Sequence, residues 1–274
     1  MIKVAKLLLL LLGLTVFVAG CGNGSAHSES KKSGHASDKK LTVFAAASLT
    51  ESFNDMAKTF KKQTGANVSF SFAGTQSLRT QIEQGAPADV FVSANTDHMK
   101  AVQKEGLVKS YQPFVDNKMA LIVPKNNPGN IHRFKDLATK DYKLILGVKN
   151  VPVGNYARKM LANAGKTYGS DFKQKVMSHA VSFETDTKQV ANKVAMGEAD
   201  AGIVYVTDVT PDIANKVRQV KIPDHLNLTT TDTIAVVKNA PHRQLAQKWV
   251  KFVLSDKGQQ ILAKHHMIPV KKQK

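Results

Sequence analysis

The sequence is nearly devoid of cysteine. Its 274 residues include a single one, Cys21, so neither an intramolecular disulfide nor a cysteine-based zinc cluster can form, and packing alone must hold the fold. Common catalytic signatures are missing too, since the chain contains no G-x-S-x-G, no phosphate-binding loop and no H-E-x-x-H. We therefore predict that the protein is not an enzyme and that it holds neither a cofactor nor a metal cation.

Acidic residues are also scarce. Asp and Glu total 21 against 39 Lys and Arg, which gives a formal net charge of +18. Nucleic-acid binding requires clustered basic residues with interleaved aromatics, whereas here the lysines are spread evenly and aromatics make up 7%. We predict no nucleic-acid partner. The proportions of hydrophobic residues (42%) and charged residues (22%) are ordinary for globular proteins and exclude a mainly disordered or fibrous chain.

The most extended apolar run, residues 7–20, follows Lys3 and Lys6. It is shorter than the roughly 18–20 residues that span a bilayer and is typical of a secretory signal, here residues 1–20. It ends in Val-Ala-Gly before Cys21 and resembles the lipobox of bacterial lipoproteins. The resemblance implies cleavage before Cys21 and attachment of acyl chains such as palmitate, which anchor the protein on the extracytoplasmic face of a cell membrane, as on a Gram-positive surface. The alternative is an uncleaved core helix with a chance cysteine.

The next segment, residues 21–40, is rich in serine, glycine and lysine and lacks large apolar residues. This composition predicts a flexible tether. We interpret His27 and His35 as polar residues of the tether rather than metal ligands. The folded part is predicted to begin near Leu41.

From Leu41 onward, short β-rich runs alternate with amphipathic stretches. Residues 41–46 favour a buried strand, and residues 49–63 favour a helix with an apolar face. The alternation predicts an α/β fold of mainly parallel sheets with helices on both faces. Residues 85–89 and 197–200 each place a glycine and then an aspartate before a strand, which suggests two similarly built lobes.

Candidate binding residues lie at the strand-to-helix junctions, because ligands of open α/β sheets bind beyond the carboxyl ends of the strands. Four junctions are candidates: residues 45–51, 72–77, 148–154 and 183–187. Helix N-termini attract anions through unpaired N–H groups and the helix dipole. Three junctions add hydroxyl side chains and none contains arginine, so together they could bind a fully deprotonated oxyanion without a formal cation.

Each junction also has a purely structural interpretation. Ser48 and Glu51 fit a capping box, Thr75 and Asp186 fit simple N-caps, and Pro152 suits a first helical position. For any one junction alone, capping is the better interpretation.

Several motifs, in order along the chain, resemble the molybdate-binding proteins of ABC importers. The motifs are Phe-Ala-Ala-Ala-Ser-Leu at 44–49, Phe-Ala-Gly-Thr at 72–75, Gly-Ala-Pro-Ala-Asp-Val-Phe at 85–91, Val-Pro-Val-Gly at 151–154 and Gly-Ile-Val-Tyr-x-Thr-Asp at 202–208. The resemblance implies a two-lobed periplasmic-binding-protein type II fold, in which two hinge strands near residues 119–123 and 226–234 connect the lobes. One lobe would comprise residues 41–121 and 226–274, and the other residues 122–225.

The resemblance also implies the site. Ser48 would donate its hydroxyl and backbone N–H, Thr75 its hydroxyl, and Tyr205 its phenolic O–H. Val153 and Thr187 would contribute backbone N–H groups, with a contact from the Thr187 side chain left open. The cargo would be molybdate and also tungstate, and the partners a permease and an ATPase subunit, with the binding protein itself a monomer.

Three alternatives remain open at this stage. The ligand could be another anion, such as sulfate or a small carboxylate. A hydrolase or esterase could use Ser48 as its nucleophile, although no histidine lies in the four junctions. The chain could also be the effector domain of a regulator, against which the signal sequence argues.

Overall fold

The computed structural model describes residues 40–270. The predicted signal peptide, Cys21 and the predicted tether up to residue 39 lie outside the described residues. The strands are Lys40–Ala46 (β1), Asn67–Ala73 (β2), Val90–Ser93 (β3), Gln112–Pro124 (β4), Leu144–Gly147 (β5), Ala180–Glu184 (β6), Ala201–Tyr205 (β7), Val217–Val220 (β8), Thr229–Val236 (β9) and Ile268–Pro269 (β10).

Helices connect most of these strands. The α-helices are Thr50–Thr64 (α1), Thr75–Glu83 (α2), Thr96–Lys104 (α3), Pro152–Tyr168 (α4), Phe172–Ser178 (α5), Thr187–Ala195 (α6), Pro211–Ala214 (α7), Arg243–Val253 (α8) and Asp256–Lys264 (α9). Short 3-10 helices occupy Ala47–Leu49, Phe134–Ala138 and Val206–Asp208. Within residues 40–270, no helix combines the length and apolar character needed to cross a membrane.

The strands form two sheets that share β4. The first has the order β2-β1-β3-β9-β4, the second has the order β4-β7-β5-β6, and β8 and β10 also pair with β4. Strands β1, β2 and β3 are parallel to one another, as are β5, β6 and β7. Strands β4 and β9 pair antiparallel with their neighbours. The parallel order predicted from the alternation therefore holds in the outer part of each sheet, whereas the shared strand and its partner run against it.

Strand β4 passes from one sheet to the other. Residues up to Lys118 pair with β9, and residues from Met119 pair with β7 and β8. We call the half around the first sheet the first lobe and the half around the second sheet the second lobe. This change of pairing partner lies at the start of the predicted hinge segment, residues 119–123. The exact boundaries of the two lobes remain a prediction.

Helices cover both faces of both sheets, so each lobe has two apolar layers. In the first lobe, Phe53 and Phe60 of α1 contact the buried Trp249 of α8 edge to face, with ring centroids 5.7 and 5.1 Å from the indole. The opposite face is packed by α2 and α3 around Phe91. In the second lobe, α4 and α5 cover one face and α6 and α7 the other. The four candidate junctions lie where β1, β2, β5 and β6 end.

Candidate functional site

The four predicted junctions meet in one cavity of about 20 Å³ between the lobes. Its lining residues are Ala46, Ala47, Ser48, Ala73, Gly74, Thr75, Ala94, Val151, Pro152, Val153, Asp186, Thr187 and Tyr205. All five residues predicted to bind the ligand are among them, two from the first lobe and three from the second. None of the lining residues is Lys, Arg or His, and the single acid is Asp186.

Ser48 lies in the 3-10 helix that precedes α1. It is 3% exposed, and its Oγ has no hydrogen-bond partner among residues 40–270. The predicted capping box is wrong, because Leu49 occupies the N-cap of α1 without a side-chain bond and Glu51 contacts Lys188 instead. The hydroxyl of Ser48 is therefore free to serve a ligand.

Thr75 is the first residue of α2 rather than its N-cap, a position taken by Gly74. Its Oγ1 accepts a hydrogen bond from the N–H of Ala94 at 3.2 Å. Because the hydroxyl accepts in this bond, its own proton can still be donated into the cavity. The N-cap interpretation of Thr75 is thus wrong.

Gly74 marks a close approach of the two lobes. A Cβ at this position would lie 2.1 Å from the carbonyl oxygen of Thr185 in the second lobe. Its φ of −59° is ordinary for any residue, so the glycine is required by the contact across the cleft and not by its backbone conformation.

Val153 lies in the first turn of α4, after Pro152 at a first helical position as predicted. The first N–H groups of a helix have no acceptor within it, which makes the Val153 N–H available. The tight turn before α4 is held by Arg158, whose Nη1 donates to the carbonyl oxygens of Gly147 and Gly154, both at 2.8 Å.

Asp186 caps α6, as the structural interpretation predicts. Its Oδ1 accepts from the backbone N–H of Gln189 at 3.0 Å, and its Oδ2 accepts from the Gln189 side chain. The carboxylate is therefore engaged by its own helix, which limits its repulsion of an anion. Next to it, Thr187 donates its hydroxyl to Asp208 Oδ2 at 2.6 Å. This bond leaves the backbone N–H as the donor that Thr187 can offer.

Tyr205 ends β7 and is 2% exposed. Burial, above all, raises the pKa of its phenol well above the usual value, so the hydroxyl keeps its proton. The Thr230 hydroxyl lies near enough to lower this pKa. Within residues 40–270, however, neither the Tyr205 hydroxyl oxygen nor Thr230 Oγ1 forms a hydrogen bond of standard geometry. The phenol is thus a buried donor at the edge of the cavity.

Comparison with known proteins identifies the family. The family model described as bacterial extracellular solute-binding protein matches residues 41–268. The chain belongs to this family. It is 35% identical over 251 residues to the molybdate-binding protein ModA of Mycobacterium tuberculosis, covering 91% of this chain and 92% of that protein. The predicted relationship to molybdate-binding proteins is confirmed.

Two further relatives of this solute-binding family support the fold and the class. YvgL of Bacillus subtilis, a putative ABC transporter substrate-binding lipoprotein, is 29% identical over 262 residues, covering 92% of this chain and 94% of that protein. The substrate binding domain of a putative molybdenum ABC transporter from Clostridium difficile matches with a TM-score of 0.63 at 30% identity, covering 85% of this chain and 99% of that one. The two-lobed α/β prediction is confirmed. The protein is a solute-binding component of transport rather than an enzyme, and its ligand is cargo rather than a cofactor.

Sequence reasoning missed two buried carboxyl groups behind the cavity. Asp208 is fully buried, and its Oδ2 accepts hydrogen bonds from the Thr187 hydroxyl and the Tyr205 N–H. Asp232 of β9 is 1% exposed, and neither of its oxygens has a hydrogen-bond partner in the part of the chain that the structure describes. Burial raises the pKa of Asp208 to about 6 and that of Asp232 well above its usual range. Asp208 stands in the motif at residues 202–208, but nothing in that motif indicates that it supports two neighbours.

Sequence reasoning also missed a contact across the cleft. Lys188 follows Thr187 on α6, and its Nζ lies 2.7 Å from both carboxylate oxygens of Glu51 on α1. The two residues are 137 positions apart, so no local pattern could pair them.

Proposed function

We propose that the protein captures molybdate in this cavity and delivers it to an ABC importer. The observation that carries the proposal is the donor set. Ser48, Thr75 and Tyr205 offer hydroxyl groups, Val153 and Thr187 offer backbone N–H groups, and no basic side chain of the described residues lines the cavity. Helix N-termini and neutral hydroxyls together suit an anion that carries no proton.

The chemistry of the donors favours a fully deprotonated dianion. Molybdate has no proton at neutral pH, so it needs donors only. Hydrogen phosphate carries a proton that needs an acceptor, and the carboxylate of Asp186 is engaged by α6. A buried proton without an acceptor costs about 1–3 kcal/mol. The unpartnered Oγ of Ser48 fits the same proposal, because buried polar groups in proteins are normally hydrogen-bonded.

Size limits the ligand to a small anion, and we propose that it also discriminates among oxyanions. The cavity of about 20 Å³ suits a compact ion rather than a sugar or peptide. Molybdate is larger than sulfate, so a cage fitted to molybdate holds sulfate with stretched hydrogen bonds. Tungstate is nearly the same size as molybdate, and we propose that it binds as well.

Closure would couple binding to transport. The donors come from both lobes, so the anion stabilises the closed state over an open one and shifts the population toward it. The closed monomer would then dock on a permease, and a separate ATPase subunit would drive release of the ion.

We further propose that the protein is a lipoprotein attached through Cys21 to the extracytoplasmic face of the membrane, as on a Gram-positive surface. The signal-like residues 1–20 and the lipobox-like Val-Ala-Gly before Cys21 support this. Cys21→Ser should move the protein from the membrane fraction to the medium, and metabolic labelling with a palmitate analogue should mark the unsubstituted protein alone.

Titration calorimetry tests the ligand. Molybdate and tungstate should bind tightly to the purified protein, while sulfate and phosphate bind far more weakly. Tight sulfate binding without molybdate binding would overturn the proposal in favour of a sulfate receptor.

A further inference from the structure

The two lobes are joined across the cleft by an ion pair beside the cavity. Lys188 Nζ of the second lobe contacts Glu51 Oε1 and Oε2 of the first lobe, each at 2.7 Å. The side chains are only 17% and 34% exposed, respectively. Neither residue lines the cavity, so the pair lies next to the site without belonging to its donor set.

The positions of the two residues connect the pair to the donors. Glu51 is in the first turn of α1, three residues after Ser48, and Lys188 is in the first turn of α6, directly after Thr187. The pair therefore links the start of α1, which directly follows the 3-10 helix of Ser48, to the start of α6, whose first residue is Thr187. Opening of the cleft would separate the partners and expose both to water.

The charges of Glu51 and Lys188 also influence the electrostatics near the cavity. Burial has the largest effect on the pKa of Asp208 and raises it, while Lys188 lowers this pKa and Glu51 raises it to a smaller extent. Paired, the two charges offset each other in part, because Lys188 acts more strongly on Asp208 than Glu51 does. Separated by a substitution, either charge would alter the field at the anion, Lys188 by attracting it and Glu51 by repelling it.

We propose that Glu51 and Lys188 are a positioning pair that holds the lobes closed on the ligand and slows its release. The inference rests on the proposed function, since it assumes an anion bound between the lobes. Because opening of the cleft would have to separate the pair, its loss should act chiefly on the dissociation rate.

A double-mutant cycle tests the pair. Lys188→Gln should weaken molybdate binding about fivefold, mainly through faster dissociation. Adding Glu51→Gln should produce less than the product of the two single effects. The exchange Glu51→Lys with Lys188→Glu should restore much of the affinity. Independent, multiplicative effects without rescue by the exchange would overturn the proposal.

Lys193→Gln is the matched control. Lys193 lies on the same helix and also forms an ion pair, at 2.8 Å, but with Glu184 of its own lobe. Its substitution removes the same charge without touching the cleft, so molybdate affinity should stay unchanged. An equal loss in Lys193→Gln would reduce the Lys188 effect to general electrostatics and overturn the positioning role.

A second readout separates the pair from the identity of the ligand. Spin labels at the exposed positions Lys62 and Val181, in the full chain carrying Cys21→Ser, report the distance between the lobes without any ligand. Lys188→Gln should shift this distribution toward longer distances, and Lys193→Gln should not. An unchanged distribution overturns the proposal, whereas failure of the unsubstituted protein to bind molybdate overturns only the proposed function.

Discussion

The hydroxyl of Thr187 donates to Oδ2 of Asp208 at 2.6 Å, and this bond ties the start of α6 to the 3-10 helix that follows β7. The same oxygen accepts from the N–H of Tyr205 at 2.8 Å. One buried carboxyl group therefore fixes two of the residues that line the cavity. Because Thr187 and Tyr205 belong to different elements, their relative position depends on Asp208.

Asp208→Ala should destabilise the fold by about 2–4 kcal/mol, because it leaves two buried donors without an acceptor. Asp208→Asn keeps one oxygen as acceptor and should lose clearly less. Urea unfolding of both variants measures the difference. Equal losses in the alanine and asparagine variants would show that the hydrogen bonds of Asp208 are not what the fold requires.

Asp208 should also make stability depend on pH. Its pKa is about 6 in the folded protein against 3.8 for an ordinary aspartate, so the folded state holds this proton more tightly than the unfolded state does. The contribution of Asp208 to the free energy of unfolding therefore falls by roughly 2–3 kcal/mol as the pH rises from about 4 to about 6. Above about pH 6 it stays low. The free energy of unfolding, measured from pH 4.5 to 7.5, should decline less in Asp208→Asn than in the unsubstituted protein. Identical slopes would contradict the assignment.

Substitution of Ser48 should change ligand affinity without changing the stability of the fold. Its Oγ is buried and has no hydrogen-bond partner within residues 40–270. Ser48→Ala therefore removes no hydrogen bond from this part of the chain and should leave the melting temperature nearly unchanged. Molybdate affinity should fall about fivefold to tenfold, the equivalent of about 1–1.5 kcal/mol for one hydrogen bond. The control is Ser52→Ala, since Ser52 Oγ donates to the Leu49 carbonyl at 3.1 Å and lies outside the cavity. That variant should lose stability and keep its affinity, and the reverse pattern would remove Ser48 from the site.

Tyr205→Phe should keep the fold and weaken molybdate binding by about 1 kcal/mol, or about fivefold. Tyr142→Phe serves as its control, because the Tyr142 hydroxyl donates to the Leu137 carbonyl at 2.9 Å within the second lobe. The control variant should lose stability and retain affinity in calorimetry. Unchanged affinity in Tyr205→Phe would exclude the phenol from the ligand shell.

Sequence patterns predicted the elements whose burial is regular. The helix predicted at residues 49–63 is observed at Thr50–Thr64, because its apolar face repeats with the helical period. No bounds were predicted for β6, whose end was recognised only as a junction, because it is an edge strand with exposed Val181. The first part of β4 was missed because residues 113–115 are a short apolar run that is followed by three polar residues before Met119.

The residues of the site likewise divide into those that the sequence predicts and those that it does not. The junctions at the strand ends were predictable because helix starts and small residues are local features. The roles of Asp208 and Asp232 were not, because a buried carboxyl group depends on partners and desolvation that only the packed structure supplies. The pairing of Glu51 with Lys188 likewise joins residues 137 positions apart along the chain, which no local pattern predicts.

Gly74→Ala should act on closure alone. The added Cβ would lie 2.1 Å from the Thr185 carbonyl oxygen in the opposite lobe, which is far too close for a carbon and an oxygen that are not bonded. The φ of −59° at Gly74, by contrast, suits alanine. The variant should therefore fold with unchanged unfolding free energy, stay more open in solution scattering, and bind molybdate at least about 100-fold more weakly, the equivalent of about 2.7 kcal/mol. Gly165→Ala on α4, whose Cβ would meet its nearest neighbour at 3.8 Å, should retain full affinity. If Gly74→Ala bound as tightly as the unsubstituted protein, the ligand would not require the lobes to approach as closely as they do at this residue.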